Sequence, residues 1–180
     1  MIFTESKLPG AYTIEMTPLE DERGFFARSY CAQEFAAHGL PALTAQCSVS
    51  FNARRATLRG LHFQAEPHAE DKLVRCTAGA IFDVIVDLRA GSPTHRRWFG
   101  TELTAANRRA IFAPKGFAHG FITLCDDSEV LYMISAPHVP GYDRGVRWND
   151  PGIAIEWPIE PEILAARDAA YPLLDASTLA

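Results

Sequence analysis

The stretch DKLVRCTAGAIFDVIVDLR, residues 71–89, decides the fold. Two apolar runs, LVRC at 73–76 and AIFDVIVDL at 80–88, flank a Thr-Ala-Gly turn at 77–79. Runs this short, rich in Val and Ile and bounded by turn residues, read as strands. The same punctuation continues outward. AYTIEMTPLED (11–21) alternates and then turns at 21–24. Residues 98–103, 109–113, 120–124 and 129–135 are further strands, separated by turns at 91–93, 114–116 and 126–128. Strands at such regular spacing predict a barrel or a sandwich.

Two segments read as helical. CAQEFAAH (31–38) stops at Gly39 and Pro41, and residues 161–170 have room for a turn or two. Neither is long enough to form a layer. With no linker, repeat or low-complexity tract, residues 1–180 are expected to form one all-β domain with short peripheral helices.

Composition narrows the function. Hydrophobic residues make up 48% of the chain, enough for a sizeable core, and the charged 22% is ordinary for a globular protein. A formal net charge of -5 argues against a nucleic-acid surface. An anionic small molecule must therefore be met by cations gathered locally. Cys31, Cys47, Cys76 and Cys125 show no CxxC or metal-finger spacing, so reduced thiols are expected. Residues 1–12 lack the basic and apolar regions of a signal peptide, and no apolar run approaches the ~20 residues of a membrane helix. The expectation is a soluble, cytoplasmic protein without a membrane partner.

Two histidine-bearing motifs stand out. In LRGLHFQ (58–64), strand alternation puts Leu58, Gly60, His62 and Gln64 on one face. In PKGFAHGF (114–121), Pro and Gly bend the chain into a strand carrying His119. Either histidine alone fits an ordinary position, His62 as a core residue satisfied by hydrogen bonds and His119 beside a surface turn. Together, both in a β context, they point to chemistry.

PKGFAHGF resembles the second motif of the cupin barrels. Combined with LRGLHFQ, residues 71–89 and GVRWNDPGIAIEWP (145–158), it resembles the dTDP-4-dehydrorhamnose 3,5-epimerase family, from about residue 21 to about residue 168. The resemblance implies a cupin-type jelly-roll barrel, a nucleotide-diphosphate sugar substrate, no cofactor, and a homodimer. An N-terminal strand segment such as residues 11–17 is suited to pairing across subunits by edge addition.

The chemistry of such an epimerase is specific. Inverting a carbon beside a ketone needs a base on one face, an acid on the other, and a stabiliser for the enolate between them. By resemblance His62 is the base, with Asp168 (in ARDAAYP) as the carboxylate that fixes its tautomer. Neutral imidazole suits the task near pH 7. Tyr132 (in EVLYMIS) matches the acid, and a phenol is neutral at that pH. Lys72 matches the enolate stabiliser, and His119 lines the same site. Arg23 (in ERGFF) and Arg59 match phosphate-binding arginines, whose planar forks suit phosphate oxygens. Gln46 matches a nucleotide contact, and Asp143 and Arg167 complete the expected binding set.

Four positions depart from the family pattern. Ser48 replaces a common asparagine, Arg28 a base-contacting glutamate, His138 a stacking tyrosine, and Met133 a lysine or glutamine. All bear on binding or pocket shape, which leaves nucleotide preference open to drift. Metal-binding cupins usually carry His-x-His in the first motif, and His62-Phe63-Gln64 stands there instead, so no metal is expected. Competing readings are a mono-epimerase or 3,4-ketoisomerase on the same barrel, a metal-dependent cupin, and a non-catalytic sugar-nucleotide binding module.

Overall fold

The computed structural model describes residues 1–174. In chain order the elements are β1 (Ile2–Glu5), β2 (Tyr12–Glu15), β3 (Leu19–Asp21), β4 (Gly24–Phe26), α1 (Ala32–Ala37), β5 (Gln46–Asn52), β6 (Thr57–Gln64) and β7 (Lys72–Ala78). There follow β8 (Ala80–Asp87), β9 (Trp98–Thr104), β10 (Ala110–Ala113), β11 (Phe117–Thr123), β12 (Ser128–Ile134), β13 (Asp143–Gly145), β14 (Ile163–Leu164) and α2 (Ala166–Ala169). The first large sheet has the order β1-β2-β10-β7-β12-β5. The second runs β13-β6-β11-β8-β9, with β14 added parallel to β6, and β3 and β4 form a separate hairpin. The all-β, cupin-type jelly roll read from the sequence is the architecture found.

The turn at residues 77–79 does not make a hairpin. It carries the chain from one large sheet to the other, since β7 pairs with β10 and β12 while β8 pairs with β11 and β9. Gly79 takes a left-handed φ of 73° there, and an added Cβ would lie 2.5 Å from Ser128 Oγ. Between the sheets Val74, Cys76, Ile111 and Val130 meet Ile81, Ile85, Leu103 and Phe121 in one apolar cluster. Each such buried side chain contributes about 1.5–3 kcal/mol. Helix α1 covers the outer face of the first sheet through Phe35, which packs on Phe112, Leu43 and Ile14.

Several elements differ from expectation. β11 begins at Phe117 rather than at residue 120, and the 161–170 segment splits into β14 and α2. β1, β5 and β13 were not anticipated. β5 escaped because its alternation is inverted: Gln46, Ser48 and Ser50 face inward to a cavity, while Val49 and Phe51 on the other face are each 57% exposed. Residues 11–17 do not offer a free edge, because β2 is flanked by β1 and β10, and β1 takes the edge position. The expected single face of LRGLHFQ is also broken. His62 lies opposite His119 and Arg59 opposite Phe121, so Gly60 and Leu61 together face the single residue Gly120. This β-bulge shifts the parity, bringing Arg59, His62 and Gln64 to the cavity and sending Leu61 into a core cluster.

One buried acid in β8 belongs to the scaffold. Asp87 accepts from the Arg89 guanidinium and from the Ser92 and Thr94 hydroxyls. Burial pushes its pKa up, but these donors outweigh it and hold the carboxyl at about 2.

Candidate active site

Where β5, β12 and β7 face β6, β11 and β13, the interior turns from apolar to polar and opens into a cavity of about 330 Å³. Its wall includes the sequence-predicted Gln46, Ser48, Arg59, His62, Lys72, His119, Tyr132, His138, Asp143 and Arg167. Four cations (Arg59, Lys72, Arg144 and Arg167) stand there against two carboxylates, Glu70 and Asp143. A chain of net negative charge thus gathers positive charge at one place.

The bulge in β6 explains how His62 is equipped. Gly60 and Gly120 allow the close strand approach, since a Cβ on Gly60 would lie 2.6 Å from Gly120 Cα. The Gly60 N–H leaves the ladder and donates to Asp168 Oδ2 at 3.1 Å. His62 Nε2–H donates to Asp168 Oδ1 at 2.8 Å. Nδ1 is then the nitrogen left to take a proton. Asp168 is buried at the start of α2, and burial alone would raise its pKa. The bonds from His62 and Gly60, with Arg167 nearby, prevail and hold the carboxyl below its usual range. Asp168 stands behind the imidazole rather than on the cavity wall.

Tyr132 comes from the opposite sheet. Burial raises its phenol well above the ordinary range, against the opposing effect of a hydrogen bond with Ser50. It is therefore a protonated phenol at neutral pH, able to give a proton but reluctant to lose one to water. His119 meets Tyr132 edge-on, with ring centroids 6.0 Å apart, and its Nε2–H donates to Asp83 Oδ2 at 2.8 Å. Asp83 is fully buried, which drives its pKa upward against the charge of His119 and the bond to it. Lys72 Nζ donates to the His62 carbonyl at 3.3 Å and pairs with Glu70 at 3.0 Å.

At the mouth, Gln64 is committed to the backbone. Its amide donates to the His68 and Pro137 carbonyls and accepts from the Val139 N–H, holding the loop that carries His138. The His138 backbone N–H donates to Gln46 Oε1, and its ring Nε2–H donates to Asp143 Oδ1 at 2.9 Å. Arg59 is anchored by Asn52 Oδ1 at 2.7 Å and by the Phe51 carbonyl. Among the described residues, no cluster of three or more His, Cys, Asp or Glu side chains is suited to a metal ion. None of their helices is long and apolar enough to cross a membrane.

Two predicted residues lie elsewhere. Arg23 projects from the β3–β4 hairpin, its side chain 84% exposed and paired with Asp21, and Arg28 is bound to Glu34. Neither lines the cavity of its own chain. Conversely, the cavity holds Ser50, Glu70, Arg144 and Tyr171, which the sequence reading did not select. Tyr171 meets the His62 ring edge-on at 5.7 Å. Asp83 was also passed over, although an acid inside an apolar strand is a signal that a buried partner must exist.

Comparison with known proteins gives a consistent picture. Residues 5–176 match the family model described as dTDP-4-dehydrorhamnose 3,5-epimerase. The enzyme of that name from Salmonella typhimurium is 42% identical over 181 residues, covering 99% of this chain and 98% of its own. The Bacillus anthracis enzyme, solved with TDP and PPi bound, superposes with a TM-score of 0.92 at 42% identity, covering 96% of this chain and 99% of that one. The Legionella pneumophila enzyme, solved in complex with dTDP-4-keto-L-rhamnose, gives 0.91 at 35% identity, covering 99% and 96%.

Proposed function

The chain belongs to the dTDP-4-dehydrorhamnose 3,5-epimerase family, and from that premise we propose how its own residues carry out the reaction. It is a sugar-nucleotide epimerase, an isomerase. We take its substrate to be dTDP-4-keto-6-deoxy-D-glucose, inverted at C3 and C5, and read the whole chain as one catalytic domain in the cytoplasm. His62 Nδ1 removes the proton beside the ketone while Asp168 stabilises the imidazolium. Lys72 stabilises the enolate oxygen, and His119, whose Nδ1 is left as an acceptor, takes a hydrogen bond from the sugar in the same site. Tyr132 returns a proton to the opposite face. Arg59 and Arg167 take the diphosphate, while Gln46, Ser48, His138 and Asp143 bind the nucleoside. His138 offers less stacking area than tyrosine, so acceptance of other nucleotide carriers is part of the proposal.

The observation that carries this reading is one cavity with a carboxylate-backed imidazole on one sheet and a partly buried, protonated phenol on the facing sheet. A pure binding module needs no such opposed pair. The test is incubation with that keto-sugar in deuterated water, following the C3 and C5 protons by NMR. Exchange and inversion at both carbons are expected. Exchange at one carbon marks a mono-epimerase, and none in a folded protein defeats the epimerase reading for this substrate.

The reading includes a homodimer. Arg23 and Arg28 lie outside the cavity of their own chain, while Phe26 (74% exposed) and Leu19 (69%) stand bare on the hairpin, with Val49 and Phe51 bare on β5. A second copy covering these surfaces brings the hairpin arginines to its partner's cavity. Arg23→Ala should then weaken dTDP binding by about tenfold. Unchanged affinity would remove Arg23 from the binding set.

A further inference from the structure

Lys72 opens β7 on the cavity wall, and only a small part of its side chain is exposed. A buried ammonium is costly unless acceptors surround it. Two groups hold this one. The His62 carbonyl accepts at 3.3 Å from β6, and Glu70 Oε1 lies 3.0 Å away, two residues earlier in the chain. The rest of the ammonium is left to the cavity.

Glu70 is itself spent on this contact. It is buried, with only 6% of its side chain exposed, and its second oxygen, Oε2, has no hydrogen-bond partner among the described residues. Its neighbour Asp71 serves the scaffold instead, accepting from the Lys115 N–H and the Ser135 hydroxyl. A carboxylate with one oxygen on a lysine and the other sealed without a donor is poorly explained as a support for the fold, because an unmet buried acceptor is destabilising. Its placement is explained by what it does to Lys72.

We propose that Glu70 is a positioning residue, which together with the His62 carbonyl fixes the Lys72 ammonium at the point where the enolate oxygen forms. This rests on the epimerase reading, in which Lys72 meets that oxygen. The His62 carbonyl and imidazole sit on one residue, so the ammonium is registered directly against the base. Since one oxygen does the holding, an amide oxygen of equal reach should serve in its place.

The experiment compares Glu70→Ala, Glu70→Gln and Lys72→Ala with the native enzyme by NMR exchange in deuterated water, alongside calorimetric binding of dTDP. Glu70→Ala should lower kcat by about tenfold or more, because a displaced charge loses alignment. Its dTDP affinity should stay within about twofold, since Glu70 is remote in role from the nucleotide. Glu70→Gln should recover kcat to within about threefold of native. Native kcat in Glu70→Ala, or a folded Glu70→Gln no better than Glu70→Ala, overturns the proposal. If Glu70→Ala fails to fold, the glutamine variant alone decides: recovery supports the proposal, and a tenfold loss in a folded protein overturns it. Lys72→Ala separates the two readings. Full exchange in that variant defeats the role given to Lys72 and the premise with it, whereas its loss leaves Glu70 alone under test.

Discussion

Two histidine–aspartate pairs face each other across the β6–β11 ladder, and they are built to opposite ends. Both have Nε2–H donating to a carboxylate at 2.8 Å, and His62 lies directly opposite His119. Behind His62, both oxygens of Asp168 are engaged, and the carboxyl is held below its usual range. Behind His119, Asp83 has one oxygen without a partner among the described residues and lies wholly out of water, which drives its pKa up. The first pair can carry a transient positive charge on its imidazole. The second resists separated charge. Equal distances do not make equal dyads; the solvation and satisfaction of the acid decide what each can do.

The sharpest way to break this comparison is to remove each imidazole. His62→Ala should reduce sugar C–H exchange by about 10³-fold, the range of a lost general base, and His119→Ala by about tenfold. Equal losses would erase the distinction. Next, Asp168→Asn puts an amide behind the base and disturbs its tautomer, so kcat should fall by about 10²-fold with KM little changed. Asp83→Asn should cost far less. A larger loss from Asp83→Asn would exchange the assigned roles.

Stability gives a third reading. Asp87, held at about 2, is the scaffold's own well-satisfied acid. Its folded pKa lies below the ordinary 3.8, so its contribution is present above that value and fades as pH falls through about 2. Acid titration of unfolding should show about 2 kcal/mol lost over that window, and Asp87→Asn should flatten it.

The smallest effect separates the dyads by sign. Asp168, depressed on folding, supports the native state above the ordinary carboxylate pKa and loses that support as pH falls. Asp83, raised on folding, opposes the native state once pH exceeds the ordinary value. At pH 8, Asp168→Asn should lower Tm and Asp83→Asn should raise it, each by about 2–4 °C. Shifts of the same sign would show that the two carboxylates are equally at home.

The sequence displayed some of this and concealed the rest for identifiable reasons. Residues 73–76 and 80–88 declared themselves as strands because an apolar core imposes apolar composition. β5 did not, because a strand whose inner face lines a polar cavity reverses the usual pattern. The face of LRGLHFQ was misjudged because a bulge depends on the partner strand, where Gly120 makes room. His62 and Asp168 are 106 residues apart, and no local pattern encodes such a contact. Glu70 sat in an E-D-K run that reads as solvated surface. Arg23 carries the family pattern and Arg28 departs from it, yet both lie outside the cavity of their own chain, which no local pattern signals.

The late position of Asp168 has a consequence for how the protein is made. Among the described residues every strand of both large sheets precedes it, and β14 joins the second sheet only at Ile163–Leu164. Synthesis at about 5–20 residues each second therefore adds these strands before it adds the carboxylate that backs the base. Shape comes first and reactivity last. A chain clipped before residue 168 would keep the strands of both sheets, but it would lose Tyr171 from the cavity wall and leave its imidazole without the group that orients it.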